Sequence, residues 1–328
     1  MILVTGGTGL VGAHLLLHLL QSQTDGVRAI FRKKESIKKT KHFFDINQAT
    51  DLFQHIEWIE ADIMDIPNLE IAFRNVTEVY HCAALVSFDP KDEIIMRKIN
   101  IEGTANMVNL ALDFKITKFC HVSSIAALGE TLTKDKIIYE TTDWNPELHH
   151  SDYAITKYGA EMEVWRGTQE GLNVIIVNPG VIFGQGFKNE GSDAIFQKIA
   201  KGFPFYTSGQ VGIVSAKDVA KAMVLLMQSN IINERFTLVS DNITYKELFD
   251  SIATLLQQKK PYLCISKSFL YSICYLDALI TLITPKKRSL TPSIVQASYS
   301  KYIYDNNKIK QSISFDFIPY HTFLQDNL

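Results

Sequence analysis

The chain contains 328 residues, of which 46% are hydrophobic and 21% are charged, and its formal net charge at pH 7 is −2. These values are ordinary for a globular protein, the length suits one large domain or two closely joined ones, and the slightly negative charge argues against nucleic-acid binding. The four cysteines form no C-x-x-C pair, and the first residues lack the basic leader of a signal peptide. We therefore expect reduced thiols and a cytoplasmic location.

Apolar, strand-like runs alternate with helical patterns along most of the chain. The predicted strands are, in order, Ile2–Thr5, Val27–Phe31, Ile56–Ile59, Val79–Cys82, Lys118–Ser123, Val174–Val177 and Arg235–Val239. The predicted helices are Leu10–Gln21, a helix of unspecified limits after the basic segment Arg32–Lys41, Glu93–Phe114, Tyr153–Thr168, Ala216–Gln228 and Thr244–Gln257. This alternation predicts an α/β fold with a parallel sheet covered by helices on both faces.

The junction between the first strand and the first helix is rich in glycine. Gly6 would let the chain turn sharply, Gly9 would let the backbone approach a pyrophosphate, and Gly12 would let the helix pack close to the sheet. The spacing fits G-x-x-G-x-x-G from Gly6 and also G-x-G-x-x-G from Gly7. Because the helix N-terminus also supplies free N–H groups, this junction predicts the binding of a dinucleotide cofactor.

The end of the second strand carries a basic residue where an NAD-binding protein usually has an acid. Arg32 lies twenty residues after Gly12, and a guanidinium suits the 2′-phosphate of NADP. We therefore predict NADP, with NAD as the alternative because Glu35 is close in the sequence. Asp62, after the third strand, can accept a hydrogen bond from the adenine amino group or cap a turn.

Tyr153 and Lys157 lie one helical turn apart, so their side chains share a face. An isolated tyrosine, with a pKa of about 10, is a poor acid–base group near neutral pH. We expect a neighbouring lysine cation to lower that pKa, and Lys157 can also bind the nicotinamide ribose. Ser123 and Ser124 end the fifth strand, at the sheet edge where ligands bind in such folds, and a serine there can polarise a carbonyl. These residues predict hydride transfer with Tyr153 as proton donor.

Together, these motifs resemble those of the extended short-chain dehydrogenases/reductases, within the NAD-dependent epimerase/dehydratase superfamily. They occur in family order through about the first two-thirds of the chain, as Thr5-Gly6-Gly7-Thr8-Gly9-Leu10-Val11-Gly12, Asp62, His81-Cys82-Ala83-Ala84, Asn100-x-x-Gly103-Thr104, Val122-Ser123-Ser124, Tyr153-x-x-x-Lys157, Asn178-Pro179-Gly180 and Asp218-Val219-Ala220. The resemblance implies a Rossmann doubly wound parallel sheet and a Ser–Tyr–Lys catalytic triad. By the family's spacing to Gly129, Ser124 is the triad serine and Ser123 is the alternative.

The resemblance also implies which residues bind the cofactor and how the chain is divided. The expected cofactor-binding residues are Gly6, Thr8, Gly9, Leu10, Val11, Gly12, Arg32, Asp62, Ile63, Ala83, Ala84, Tyr153, Lys157 and Pro179. We expect an NAD(P)-binding domain over residues 1–180 and a smaller, mostly helical substrate region over residues 181–328, of which about 211–240 returns to the sheet.

The stretch Val27–Arg32 is similar to the dihydroflavonol 4-reductase-like and 3β-hydroxysteroid dehydrogenase-like branches, which act on ketones or aldehydes of fairly hydrophobic molecules. We therefore expect an NADP-dependent oxidoreductase with a small-molecule carbonyl substrate. One alternative is an NAD-dependent sugar-nucleotide epimerase or dehydratase. The few basic residues between Gly180 and Asn233 argue against it, as does the presence of Ser215 and Lys217 where the family often has His or Asp. The other alternative is a non-catalytic NADP-binding regulatory or assembly protein.

Two further patterns concern metals and membranes. His14 and His18 have the spacing of metal ligands on a helix, but no third ligand is near them in the sequence, so no metal site is predicted. The apolar residues 262–284, followed by Lys286-Lys287-Arg288, predict a helix that covers the substrate cleft or, alternatively, a peripheral membrane contact through residues 262–288. A membrane-spanning helix is disfavoured because charged residues interrupt the segment. The oligomeric state stays open, with a homodimer among the alternatives.

Overall fold

The computed structural model describes residues 1–22, 26–131, 133–187, 191–284, 288 and 290–326. Its strands are β1 Ile2–Thr5, β2 Val27–Phe31, β3 Ile56–Glu60, β4 Glu78–His81, β5 Lys118–Val122, β6 Ile137–Ile138, β7 Val174–Pro179, β8 Val181–Phe183, β9 Phe205–Tyr206, β10 Gln210–Ser215, β11 Glu234–Leu238, β12 Asp241–Thr244, β13 Leu263–Cys264 and β14 Ile303–Tyr304. Its α-helices are α1 Leu10–Gln21, α2 Ile37–Ile46, α3 Thr50–Phe53, α4 Ile66–Phe73, α5 Glu93–Arg97, α6 Gly103–Asp113, α7 Asp152–Gln169, α8 Asp193–Ala200, α9 Ala216–Gln228, α10 Tyr245–Leu255, α11 Lys267–Ile283, α12 Pro292–Ala297, α13 Asn307–Ile313 and α14 Tyr320–Gln325.

The central sheet has seven strands in the order β11-β7-β5-β4-β1-β2-β3. All its neighbouring strands pair in parallel. The strand order reverses between β1 and β4, and doubly wound folds bind ligands at such a switch point. The predicted α/β doubly wound sheet is confirmed, and each of the seven predicted strands lies within two residues of its predicted limits.

Helices cover both faces of this sheet. Successive residues of a strand point to opposite sides, so the apolar strands supply buried side chains to both faces. On one face, Val4, Cys120 and Ile175 belong to a core shared with α1 and α9. On the other face, Leu3 and Phe119 belong to a core shared with α4, α6 and α7. With both faces used for packing, the carboxyl ends of the strands remain as the edge at which a ligand can bind.

The C-terminal half adds a smaller sheet and a third core. Strand β10 pairs with β8 in parallel and with β12 in antiparallel orientation. Phe183, Ile213 and Phe323 pack together in this region. Within the range 211–240, β11 joins the central sheet, whereas β10 belongs to the smaller sheet. Helix α9, between these two strands, lies against α1.

Helix α11 occupies most of the apolar segment that the sequence analysis singled out. It is 17 residues long and packs against α12. Its C-terminal end reaches the segment before α5, where Lys91 Nζ donates a hydrogen bond to the carbonyl of Thr281 at 3.5 Å. In the part of the chain that the structure describes, no helix has both the length and the apolar character needed to cross a membrane.

Candidate active site

The glycine-rich junction has a conformation that requires glycine at two positions. Gly6 has a φ of +69°, and a Cβ there would lie 2.7 Å from the backbone nitrogen of Ala83. A Cβ on Gly12 would overlap the carbonyl oxygen of Gly6. A Cβ on Gly9 would make only an ordinary contact, at 3.4 Å from the same oxygen. The backbone therefore uses the G-x-x-G-x-x-G register, and Gly9 borders open space above the helix.

The N-terminus of α1 faces that space with uncapped backbone donors. Gly9 is the N-cap residue, it offers no side-chain acceptor, and the first turn contains no acid. The first intrahelical bond runs from the N–H of Ala13 to the carbonyl of Gly9 at 2.9 Å. The N–H groups of Leu10, Val11 and Gly12 therefore have no intrahelical acceptor. These donors and the helix dipole fit the pyrophosphate of a dinucleotide.

Hydrogen bonds from neighbouring elements fix this junction. The Thr40 hydroxyl on α2 donates to the carbonyl of Gly7 at 2.9 Å. The Thr5 hydroxyl accepts from the N–H of Ala83 at 3.1 Å and bonds to His81 Nδ1 at 2.8 Å. Ala83 is thereby held beside the glycine turn at the switch point of the sheet.

The other predicted cofactor residues lie after neighbouring strands or beside the junction. Ala84 is exposed after β4, whereas Pro179 is buried as the last residue of β7. Ile63 is buried after β3, and its carbonyl accepts a hydrogen bond from Asn106 Nδ2 at 3.0 Å. Thr8 is half-buried between Gly7 and Gly9.

Arg32 follows β2 directly and extends into solvent. Its side chain is 63% exposed, and one guanidinium nitrogen lies 3.9 Å from Asp62 Oδ2. Asp62 Oδ1 accepts a hydrogen bond from the N–H of Met64 at 2.9 Å, so this carboxylate caps the turn after β3. An exposed ion pair of this length holds Arg32 only weakly. The guanidinium can therefore turn towards a ligand that binds at the end of β2.

Helix α7 brings the predicted acid–base pair to the end of β5. The helix begins at the N-cap Ser151, whose hydroxyl accepts from the N–H of Ala154 at 3.1 Å. Lys157 is buried, and its Nζ donates to the carbonyl of Val122 at 2.8 Å. The Ser124 side chain lies close enough to the Tyr153 phenol to lower its pKa. The structure therefore brings Ser124, Tyr153 and Lys157 together at one strand end.

The two adjacent serines have different partners. The Ser123 hydroxyl donates to the buried Glu161 carboxylate at 2.7 Å. The Ser124 hydroxyl accepts from the N–H of Ala126 at 3.1 Å and also contacts Tyr153. Ser123 is therefore bonded into the protein interior, and Ser124 is the serine that lies beside Tyr153.

Burial governs the acid–base properties of the pair. It raises the pKa of Tyr153, and the nearby Ser124 side chain offsets only part of this effect. Burial lowers the pKa of Lys157 to about 8, against the opposing influence of Cys82 and Glu161. We expected Lys157 to lower the pKa of Tyr153, and the structure shows the opposite net direction for this tyrosine. The physical reason is that desolvation of the phenolate outweighs the interactions that favour it.

A buried carboxylate beneath this site was not singled out by the sequence. Glu161 Oε1 accepts from Arg235 Nη1 at 2.7 Å, and its Oε2 accepts from Ser123 and from Asn178 Nδ2 at 2.9 Å. The network ties α7 to β7, to β11 and to the end of β5. Glu161 follows Lys157 by four residues, just as Lys157 follows Tyr153. The same one-turn spacing could therefore have indicated Glu161 as a residue of the site.

The predicted helix Glu93–Phe114 is interrupted by a π-helical turn, Lys98–Glu102. Buried Asn100 in this turn accepts from the N–H of Leu85 at 2.7 Å and donates to its carbonyl at 2.9 Å. Its amide also donates to the Thr156 hydroxyl on α7 at 3.1 Å. Such π turns are frequent at functional sites, and this one fixes the segment after β4 against the helix that carries the acid–base pair.

A cleft of about 200 Å³ opens beside Tyr153. The Phe88 ring centre lies 5.9 Å from that of Tyr153, and Val86 and Phe88 are 58% and 50% exposed at the same segment. The lining residues are Ser87, Phe88, Pro90, His149, His150, Ser151, Asp152, Tyr153, Thr291, Pro292 and Ser293. Most of the lining residues are polar, and Phe88 supplies an aromatic side chain next to Tyr153.

The two histidines on α1 do not form a metal centre with other side chains. The Nδ1–H of His14 donates to the carbonyl of Leu10 at 2.9 Å, and its ring lies 4.3 Å from that of Phe43. Burial lowers the pKa of His14 to about 4. Among the residues that the structure describes, no group of three or more His, Cys, Asp or Glu could hold a metal ion.

Comparison with known proteins agrees with this geometry. The model of the NAD dependent epimerase/dehydratase family matches residues 2–238. A putative dihydroflavonol 4-reductase from Synechocystis is 24% identical over 317 residues, which cover 94% of this chain and 88% of the relative. Sterol demethylase protein B of Methylococcus capsulatus is 27% identical over 276 residues, which cover 84% of this chain and 80% of the relative.

The solved structures show the same fold. UDP-glucose 4-epimerase from Thermotoga maritima, crystallised with UDP-glucose, superposes with a TM-score of 0.76 at 20% identity and covers 99% of this chain and 96% of its own. Both reductases and epimerases therefore share this architecture. The chain belongs to the NAD-dependent epimerase/dehydratase family and is an NAD(P)-dependent enzyme of the extended short-chain dehydrogenase/reductase type.

Proposed function

We propose that this protein is an NADP-dependent reductase that transfers hydride reversibly between the nicotinamide and a ketone or aldehyde of a hydrophobic small molecule. The observation that carries the proposal is that Ser124, Tyr153 and Lys157 meet at the end of β5, beside a cleft bordered by Phe88. When bound, NADPH supplies the hydride for the carbonyl carbon.

Each triad residue then has a defined role. Because burial raises the pKa of Tyr153, its phenol is protonated at neutral pH and can give its proton to the carbonyl oxygen. Ser124 donates a hydrogen bond to the same oxygen and stabilises the negative charge that develops there. Lys157, with a pKa of about 8, is mostly charged at neutral pH and stabilises the phenolate that remains. Lys157 also holds the nicotinamide ribose.

The preference for NADP rests on Arg32. Its exposed guanidinium lies at the end of β2, and its one described ion pair, with Asp62, is long. A 2′-phosphate would offer the guanidinium a doubly charged partner and a bidentate geometry. In this proposal the glycine junction holds the pyrophosphate, and residues 1–180 form the NADP-binding domain.

A sugar-nucleotide epimerase needs cations for a diphosphate, and the described residues between Gly180 and Asn233 include only four, Lys198, Lys201, Lys217 and Lys221. Lys217 pairs with Asp326 at 2.6 Å, and Lys221 lies over the Phe315 ring at 5.2 Å. Co-purified NAD and tight binding of UDP-glucose would favour the epimerase instead. A non-catalytic protein would bind NADPH and turn over no carbonyl.

The proposed enzyme is cytoplasmic and works as a monomer or a homodimer. All four cysteines are free thiols, as a reducing compartment requires. The start of α12 lines the cleft, and α11 packs on α12, so we assign residues 262–284 a role as its lid.

The test is NADPH oxidation with a panel of ketones and aldehydes, after titration of NADPH against NADH. Tyr153→Phe should lower kcat by roughly two to four orders of magnitude, because it removes the proton donor. Tyr158→Phe is the matched control on the same helix, since Tyr158 stacks on Trp144 in a different cleft. Full turnover by Tyr153→Phe would refute the role of Tyr153. UDP-glucose binding without carbonyl reduction would refute the reductase.

A further inference from the structure

Helix α11 presents an apolar stripe to solvent. Its exposed apolar residues recur every three or four positions, which places them on one face of a helix. They are between 36% and 85% exposed and comprise Phe269, Ile273, Leu276, Leu279, Ile280 and Ile283. We call these six residues, together with Tyr262 (70% exposed), Leu263 (44%) and Tyr275 (62%), the α11 patch.

The opposite face of the helix, which packs on the protein, carries both apolar and polar residues. Cys274 and Thr281 are buried there, and Asp277 Oδ2 accepts a hydrogen bond from the N–H of Leu290 at 3.0 Å. A surface helix normally turns its apolar side inward. This helix leaves seven large apolar residues exposed, and contiguous exposed apolar surface of this kind marks a contact site.

The charge around the α11 patch is opposite to that of the whole chain. Residues 259–288 contain one acid, Asp277, and six basic residues, which are Lys259, Lys260, Lys267, Lys286, Lys287 and Arg288. The whole chain has a net charge of −2. Lys259, Lys260 and Lys267, which precede the helix or begin it, are exposed.

We propose that the α11 patch docks this protein on an anionic lipid bilayer. A helix with an apolar face, aromatic residues and basic flanks lies in the plane of the membrane interface, and anionic lipids strengthen its binding. A second copy of the chain fits less well, because a symmetric interface would bring two basic segments together.

Docking would place the candidate cleft beside the bilayer. The carbonyl of Thr281 near the end of α11 contacts Lys91, and α12, which packs on α11, contributes Pro292 to the cleft. An apolar carbonyl compound dissolved in the membrane would then lie close to Tyr153. This consequence rests on the proposed function, whereas the docking itself does not.

The experiment is co-sedimentation of the full chain, without substrate, with vesicles of phosphatidylcholine alone or of an equimolar mixture with phosphatidylglycerol. We expect the wild type to bind the mixed vesicles and to dissociate at high salt. Leu276→Gln combined with Ile280→Gln should lower the partition coefficient roughly tenfold or more. Lys259→Glu combined with Lys260→Glu should lower the partition coefficient by roughly fivefold or more for each of these residues that lies near the lipid surface.

The matched control is Ile71→Gln combined with Ile232→Gln, two residues that are 43% and 45% exposed outside the α11 patch. This control should sediment like the wild type, and thermal melts should show that all variants are folded. The proposal is overturned if the wild type stays in the supernatant with mixed vesicles, or if the α11 variant binds as well as the control. A wild-type dimer that becomes monomeric in the α11 variant, without vesicle binding, would also overturn it. Because no reaction is measured, none of these results depends on carbonyl reduction.

Discussion

Replacing Glu161 with glutamine tests whether the buried carboxylate beneath the triad holds the site together. The Glu161 side chain is fully buried. Its two oxygens accept hydrogen bonds from Ser123, Asn178, Arg235 and the indole of Trp165. All four partners are donors, so the NH₂ group of a glutamine would face at least one of them and lose that bond.

The expected loss in the free energy of unfolding follows from the ion pair between Glu161 and Arg235. Removing one partner of a buried pair typically costs about 3–5 kcal/mol. Arg235 is 18% exposed and keeps a hydrogen bond to the carbonyl of Glu140 at 2.6 Å, so we expect the lower end, about 3 kcal/mol. For a protein of this size, that loss corresponds to a decrease in Tm of roughly 4 °C.

The same substitution should change the pH dependence of turnover. Glu161 helps to hold up the pKa of Lys157, which burial lowers to about 8. Without that carboxylate the pKa of Lys157 falls further, so Lys157 loses its charge at a lower pH. The alkaline limb of the kcat/KM profile should move towards neutral pH.

Urea unfolding and a pH–rate profile measure these two effects. The matched control is Glu163→Gln on the same helix, where Glu163 pairs with Arg166 at 2.9 Å near the surface. An exposed pair of this kind contributes less than about 1 kcal/mol. If Glu161→Gln unfolds at the same urea concentration as the control and its pH profile is unchanged, the reasoning about this network is wrong.

The remaining predictions concern the glycine junction, Arg32 and Asp218. Gly9→Ala should keep the wild-type Tm, because its Cβ makes only one ordinary contact within the protein, and should weaken NADPH binding more than roughly tenfold, because the backbone must approach the pyrophosphate there. Gly12→Ala should lower the Tm itself, because its Cβ overlaps backbone. Arg32→Ala should weaken NADPH binding roughly tenfold or more in a fluorescence titration and leave NADH binding unchanged, while Lys38→Ala changes neither. Burial raises the pKa of Asp218 to about 6, so this group contributes stability that is present in acid, below its unfolded pKa, and lost as the pH rises through about 6. Asp218→Asn should therefore be more stable than wild type at neutral pH, by about 1–3 kcal/mol in urea unfolding, and no more stable in acid.

The central sheet could be predicted from the sequence because its strands are buried on both faces. Such strands are nearly continuous apolar runs, and Val27–Phe31 has the predicted limits in the structure. Helix α1 also has its predicted limits, since Gly9 at its start serves as the N-cap. In contrast, the π turn at Asn100 was not predicted, because it depends on a tertiary partner, Leu85, rather than on a local pattern.

The candidate site was predicted less completely, because its properties depend on burial. The sequence left Ser123 and Ser124 as alternatives, and only their different partners distinguish them. The spacing of Tyr153 and Lys157 indicated their common face correctly. It could not reveal that desolvation dominates the pKa of the tyrosine, since a spacing contains no information about the depth of a side chain.

Three residues on one face of helix α7 differ in how deeply they are buried. Tyr153, Lys157 and Glu161 follow one another at single-turn intervals on one face of the helix. Tyr153 is half-buried beside the cleft, Lys157 is 4% exposed, and Glu161 is fully buried. Only Tyr153 of the three therefore borders the cleft, while the Lys157 ammonium is kept from water and lies near a carboxylate that is buried more deeply. Because Arg235 in turn pairs with that carboxylate, the charges alternate in sign along Lys157, Glu161 and Arg235, and each of these charges has a neighbour of opposite sign.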